Sequence, residues 1–358
     1  MIGSLKALAR AGAYLGGALT GLHRRRNADT LTAISFHRVL PPGAPDAAAA
    51  MPAFTVDTRV FRKLLAFVDR YYTVVSMADV LAACRGASEL PRFAATITFD
   101  DGWADNALHA APILRRMGLP ATLFLATGIL EGEDAFWREH LHAMSVLLPE
   151  RRFQGIWRNH LGPCPEGPLV DEVGRYRLVV WAEAADPEVR SSLMEELRAA
   201  SGLPPGSGLM TEDQVRSWGK DFELGAHGHR HEPLTEVEDA RAELRAARRG
   251  LRRTTPEAPQ GWPYAVSAPH GRYDAAVVES ARQEGYELFF TSDVCLNRVR
   301  GGRPESDVLG RVFGTTRWNT WKGRFSGTQS ANFFFRSPRG ALDGRGPGSY
   351  AESESPDR

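Results

Sequence analysis

Hydrophobic positions along the chain follow two alternating periods. Continuous or alternating apolar runs at Leu31-Thr32-Ala33-Ile34-Ser35-Phe36-His37, Ala95-Thr96-Ile97-Thr98-Phe99, Ala121 to Ala126, Phe222 to His227, Tyr264 to Ser267 and Leu288 to Thr291 read as strands, and Tyr72 to Val75 as a shorter one. Helical spacing fills the gaps. Val60, Phe61, Leu64, Leu65, Val68 and Tyr71 share one face of a helix over 58–71, and Ser76 caps a helix through Val80-Leu81. A helix around Ala107 to Met117 stops at Gly118 and Pro120, another starts at Thr211, and a further one runs from Asp274 to Glu284. Thr235 with Glu238 predicts a capping box for the Ala- and Arg-rich helix that ends near Leu251. Strand, helix, strand with short connections predicts a parallel α/β sheet or barrel.

Between about 128 and 209 the regularity fails. Phe136, Trp137, Trp157 and Trp181 are interleaved there with a Gly/Pro-rich piece from Gly162 to Pro168 and a polar helical stretch, which reads as an insertion over the barrel mouth. Beyond about Ser337 the chain is rich in Gly, Pro, Ser and charge, a composition that favours disorder. The expected organisation is a basic amphipathic segment over 1–29, a barrel over 30–320 and an extension over 321–358.

Composition narrows the function classes. With 358 residues, 43% hydrophobic, one large embellished domain has ample core. A net charge of +1 gives no electrostatic footprint for nucleic acid or another polyanion. Cys84, Cys164 and Cys295 are odd in number and widely spaced, so neither a disulfide framework nor a zinc ribbon follows, and a reducing compartment fits. Lys6 and Arg10 sit among small apolar residues and Arg24-Arg25-Arg26 follows, which is no clear secretory signal; the run from Ala11 to Leu22 is too short to span a bilayer. A frayed leading helix is the expected reading of that segment in a cytoplasmic protein, with a peripheral contact at the inner membrane surface as the alternative.

The candidate chemistry collects at strand ends. His37, Asp100, Asp101, His227, His231 and the turn at Pro269 each follow a predicted strand, and in α/β barrels that rim is where active sites are assembled. Asp100 and Asp101, adjacent at the end of an apolar strand, need a cation, a shared proton or an Arg. One carboxylate and two imidazoles make a three-ligand metal site with room for water. His227, His229 and His231 share a face if the segment is a strand, whereas a helix pairs only His227 with His231. In the resulting scheme Asp101, His227 and His231 hold a divalent metal that polarises a carbonyl and acidifies water, Asp100 is the general base and His37 the acid for the leaving group.

These residues carry a resemblance. Thr98-Phe99-Asp100-Asp101-Gly102, the pair His227 and His231 with Pro233-Leu234 after it, and Ala268-Pro269-His270-Gly271-Arg272-Tyr273-Asp274 resemble the successive motifs of the polysaccharide deacetylases, carbohydrate esterase family 4, also called the nodulation-protein-B homology domain. The resemblance covers about 30–315, and Phe36-His37-Arg38-Val39 with the aromatic insertion is similar to the exopolysaccharide-synthesis branch. It implies a distorted (β/α)7 TIM-like barrel, with the insertion between the first and second motifs, and metal-dependent removal of acetyl groups from N-acetylated sugars. Carried over by position, Asp100 is the base, Asp101, His227 and His231 are the ligands, His229 is not one, and Pro269, His270 and Gly271 wall the substrate groove. Zn2+ is the expected metal, with Co2+, Ni2+ or Mn2+ able to replace it.

The chain also departs from the pattern. The family's base-orienting Arg is absent from Val266-Ser267-Ala268, which leaves Arg311 or Arg272 to substitute, and His270 stands where a Tyr is common. No His follows His270, and His37 matches the family variant that carries the acid on the first strand. The expected partner is an acetylated glycan, polymeric or lipid-linked. An O-acetyl esterase, a non-catalytic glycan-binding relative and a non-haem iron oxygenase built on the same ligand set are the alternatives.

Overall fold

A computed structural model of the chain describes residues 27–132, 136–164, 172–316, 320–321, 324–326 and 330. Thr30–Phe36 (β1) is buried at every position, as a strand covered on both faces must be. Ala94–Phe99 (β2) pairs with it in parallel, from Leu31 opposite Ala94 to Phe36 opposite Phe99. Thr122–Leu125 (β3), Glu223–Ala226 (β4), Ala265–Ser267 (β5) and Leu288–Phe290 (β6) add on in sequence order, each parallel to the last. Val308–Leu309 (β7) then pairs with β6, and after Gly310 the same segment continues as Arg311–Phe313 (β8), parallel to β1. The pairing thus returns to its starting strand, giving the distorted (β/α)7 barrel.

That closure depends on a residue without a side chain. A Cβ on Gly310 would collide with Cys295 Sγ and the Asp293 carbonyl, so only glycine fits where the strand changes partners. Asn297 brackets the position: its side-chain oxygen accepts from Gly310 N at 2.8 Å and its amide donates to Gly310 O at 2.9 Å. The backbone groups freed at the switch are therefore paired.

Helices cover the barrel where the apolar period predicts them. Thr58–Tyr71 (α1) buries Phe61, Leu64, Leu65 and Val68, and Asp57 caps it by accepting from Arg59 N at 2.7 Å. Ser76 and Asp79 form a capping box on Met77–Cys84 (α2). Ala111–Met117 (α3) follows a π-helical turn over Asn106–Ala110 and ends at Gly118, whose φ of 65° suits a left-handed cap.

The insertion is four helices with a core of their own. Trp137–Leu147 (α4), Glu150–Leu161 (α5), Glu172–Glu183 (α6) and Pro187–Ser201 (α7) pack around Leu141, Phe153, Trp157, Leu178, Leu193 and Leu197. Its return is laced to the loop after β2, where Ala104 N donates to Gly208 O and Met210 N to Gly102 O, both at 2.8 Å.

Glu212–Gly219 (α8), opened by a Thr211 and Gln214 capping box, Ala240–Thr254 (α9) and Ala275–Gln283 (α10) complete the layer. The cap of α9 differs from the expectation: Asp239, not Thr235, accepts from Ala242 N at 3.0 Å. Residues 234–238 are a turn and a bend, so the box signature fell one turn too early. The basic segment over 1–26, with the leading helix or membrane contact expected of it, and the tail beyond 337, with its expected disorder, lie outside the described residues. No described helix is long and apolar enough to cross a membrane.

Candidate active site

The end of β2 is where the backbone is most contorted. Asp101 has a φ of 79° and Gly102 one of 110°, which turns the chain back so that Gly102 N donates to Asp100 O at 3.0 Å. A Cβ on Gly102 would lie 2.9 Å from Ile129 Cδ1 and closer still to Leu125 Cδ1, so glycine is required. Four described non-glycine residues have positive φ, and Asp101, His231 and His270 are three of them. Such conformations cost about 1–3 kcal/mol each and gather where a site over-determines them.

Asp100 is buried and locked. All five N–H groups of Arg311, which is fully enclosed, are used: Nη1 and Nη2 each donate to the Asp100 carboxylate at 2.7 Å, and the rest reach Thr291 O at 2.9 Å, Ser267 Oγ at 2.8 Å and Thr98 Oγ1 at 3.3 Å. This planar fork fixes the carboxylate in orientation as well as charge. Burial alone would push the Asp100 carboxyl up, but the Arg311 charge outweighs it and holds the group below the usual carboxylate value. His37, one residue past β1, sets its Nε2 3.8 Å from Asp100 Oδ2. Burial pushes the His37 imidazole below its ordinary value against the pull of Asp101 and Asp100, so ready protonation near neutrality does not follow from its position.

Asp101 faces the histidines. His227 Nδ1 donates to Ser267 O at 2.9 Å, which leaves its Nε2 free to act as a ligand atom, 3.4 Å from Asp101 Oδ1. His231 Nε2 lies 3.3 Å from the same oxygen. That oxygen is buried and accepts no hydrogen bond, while Oδ2 is taken by Trp103 Nε1 at 2.8 Å. An orphaned carboxylate oxygen between two imidazole nitrogens, all within 4.8 Å of one another, is a donor set that fits a divalent cation. His37 and the two imidazoles outweigh burial and keep the Asp101 carboxyl well below the usual range, and Asp101 in turn raises His231 despite burial.

The segment from His227 to His231 is neither strand nor helix. Gly228 at φ 69° and His231 at φ 59° curl it, so His227 and His231 converge while His229 swings away to Thr127 Oγ1 at 2.9 Å. Glu243 holds the curl by accepting from the backbone N–H groups of His229 at 2.9 Å and Arg230 at 2.6 Å. His270 donates from Nε2 to His231 O at 3.0 Å and lines the cavity, whereas Pro269 and Gly271 are buried behind it and do not line it. Of the two candidate arginines, Arg311 reaches Asp100; Arg272 is exposed and paired with Glu236, outside the site. Trp137 and Trp157 are buried in the insertion core.

A cavity of about 210 Å³ opens onto these groups. His37, Asp100, Asp101, His227 and His231 form its floor, and its sides come from the 45–54 loop, from α4 and from Ser207 and Gly208. Three residues of this site are not apparent from the sequence reading. Trp103 follows Gly102 directly, and that adjacency to the turn was the available signal. Phe136, whose ring stacks on His231 at 4.4 Å, and Glu139 come from the insertion, where the apolar pattern carries no register.

The family model described as polysaccharide deacetylase matches residues 87–151, which include β2 and its two aspartates. Among solved structures, the Streptococcus pyogenes deacetylase PplD in complex with acetate is similar at 14% identity, covering 86% of this chain and 99% of that one with a TM-score of 0.54. IcaB from Ammonifex degensii is similar at 17% identity, with 85% and 97% covered and a TM-score of 0.50. A de-N-acetylase from Aggregatibacter actinomycetemcomitans is similar at 16%, with 79% and 94% covered and a TM-score of 0.50. No match was found among curated protein sequences.

Proposed function

We infer that this chain, a member of the polysaccharide deacetylase family, removes N-acetyl groups from a polysaccharide or lipid-linked glycan in exopolysaccharide or cell-envelope glycan synthesis, with a divalent cation held by Asp101, His227 and His231. The observation that carries this reading is the pairing of an orphaned Asp101 oxygen facing two imidazoles with an Asp100 locked by Arg311. A cation at that position supplies Lewis-acid polarisation of the amide carbonyl and a more acidic water. Zn2+ suits a carboxylate and two imidazoles, and Co2+, Ni2+ and Mn2+ are the expected replacements.

The chain's own groups do the rest. Asp100, kept ionised by Arg311, takes the proton of the attacking water. His37 Nε2, 3.8 Å from Asp100 Oδ2, takes that proton over from Asp100 and passes it to the leaving nitrogen. Trp103 and the His227 contact to Ser267 O keep the ligand side chains from rotating.

The apolar lining residues Met51, Phe54, Leu147 and Leu203 suit a substrate with an apolar part and support action on a lipid-linked precursor at the cytoplasmic face of the inner membrane. Recovery of the protein in the periplasm or medium overturns that location.

The test is acetate release by purified protein from N-acetylated oligosaccharides and from their O-acetylated counterparts, with chelator and after Zn2+ or Co2+ is restored. Release from the amides that is lost with chelator and regained with metal is expected. Release only from the esters makes the chain an O-acetyl esterase, and none from a metal-loaded protein overturns hydrolysis of these glycans.

A further inference from the structure

One carboxyl of the cavity wall takes no part in the proposed chemistry and has a buried oxygen without a partner. Glu139 lies in the first turn of α4 and lines the cavity, and its Oε2 is buried with no hydrogen-bond partner. The neighbouring Arg138 donates to Glu183 at 2.6 Å and Glu232 at 3.4 Å and makes no hydrogen bond to that oxygen, although its charge acts on the carboxyl. Its backbone is anchored to the site itself. Phe136, just before the helix, stacks on His231 at 4.4 Å and meets Trp103 at 5.2 Å, while the Trp137 ring is covered by the guanidinium groups of Arg138 at 4.5 Å and Arg190 at 4.7 Å. The turn that carries Glu139 on the cavity wall is therefore braced.

A buried carboxylate oxygen without a partner is costly in the free protein, and the cost is relieved when a ligand brings a donor. Of the other polar groups of the cavity, Asp100 is engaged by Arg311, His140 by Ser207 O at 3.2 Å and Arg38 by Asp105 at 2.9 Å, while the unpartnered Asp101 Oδ1 and His231 Nδ1 belong to the cation-binding group. An acetylated amino sugar is neutral, and its donors are the amide N–H and the ring hydroxyls. The amide is at the reacting end, between Asp100 and His37, which leaves the hydroxyls for a group on the cavity wall.

We propose that Glu139 is a substrate-contacting specificity residue contributed by the insertion, accepting a hydrogen bond from a ring hydroxyl of the acetylated sugar. This rests on the deacetylase reading above and names the group by which its site selects a hydroxylated ring over a bare acetamide.

The experiment compares Glu139→Leu and Glu139→Gln with the wild type on acetylated oligosaccharides and on analogues of them lacking single ring hydroxyls. Loss of one hydrogen bond implies a rise in KM of roughly 2- to 10-fold in Glu139→Leu, with kcat and metal content retained. Glu139→Gln, which keeps an acceptor and nearly the same shape, shows a smaller rise. One deoxy analogue raises KM in the wild type and adds nothing in Glu139→Leu. An unchanged KM in both variants, or equal losses from every analogue in wild type and variant, overturns the assignment; so does a loss of metal with a fall in kcat alone. If the wild type releases no acetate, the deacetylase reading has failed separately. Calorimetric binding of the same oligosaccharides then decides for Glu139, and equal affinity in wild type and Glu139→Leu overturns it.

Discussion

The barrel interior beneath the cavity holds a buried ion pair, whereas the insertion that walls the cavity encloses a core of Leu, Met, Phe and Trp. In the barrel, β1, β2, β5 and β8 each send a polar side chain to the same point, so that Ser35, Thr98, Ser267 and Arg311 converge around Asp100. Every partner there has a direction, and removing one leaves a specific donor or acceptor unpaired. In the insertion the contacts are non-directional, and losing one opens a cavity without misaligning a neighbour. Barrel mutations should therefore damage chemistry and stability together, and insertion-core mutations stability alone.

Four substitutions would break or sharpen that contrast. Asp100→Asn is expected to lower turnover by about 10²- to 10⁴-fold, the range for loss of a general base, with bound metal unchanged by elemental analysis; full activity would remove Asp100 from its role. Arg311→Met should cost about 3–5 kcal/mol in denaturant unfolding, because it strands a buried carboxylate, and should depress acetate release in whatever remains folded. Leu193→Ala, deep in the insertion core, is expected to cost about 2–5 kcal/mol but to leave turnover per folded molecule near wild type. A matching loss of turnover there would mean that the insertion core sets the site geometry, and the contrast would fail. Arg272→Ala, which breaks only an exposed pair with Glu236, should change stability by less than about 1 kcal/mol and activity not at all.

The sequence made the floor of the site legible and its wall obscure, and the reason is periodicity. Asp100, Asp101 and His227 sit directly after apolar strands, and the strand pattern tells where each strand stops. Arg311 was one of two candidates because its strand is a fragment, Val308–Leu309 and Arg311–Phe313 split at Gly310, too short to stand out by alternation. Whether His229 joins His227 and His231 turned on the segment being strand or helix, and it is neither but a curl fixed by Glu243 from α9. Glu139 had no signal at all. On an amphipathic helix of unknown packing, a single Glu reads as surface, and only the seating of Phe136 on His231 turns it inward.

The segment that completes the ring of strands is also the one that aims the base. Until Arg311 has settled between β6 and β1, the Asp100 carboxylate has no fork to hold it, so an unfinished barrel is an unarmed one. A chain leaving the ribosome would expose Asp100 and both histidines well before the arginine that orders them. The last barrel strand thus works as a safety catch: competence arrives only with the completed fold, and a product truncated ahead of Gly310 would carry the ligand residues yet lack an oriented base.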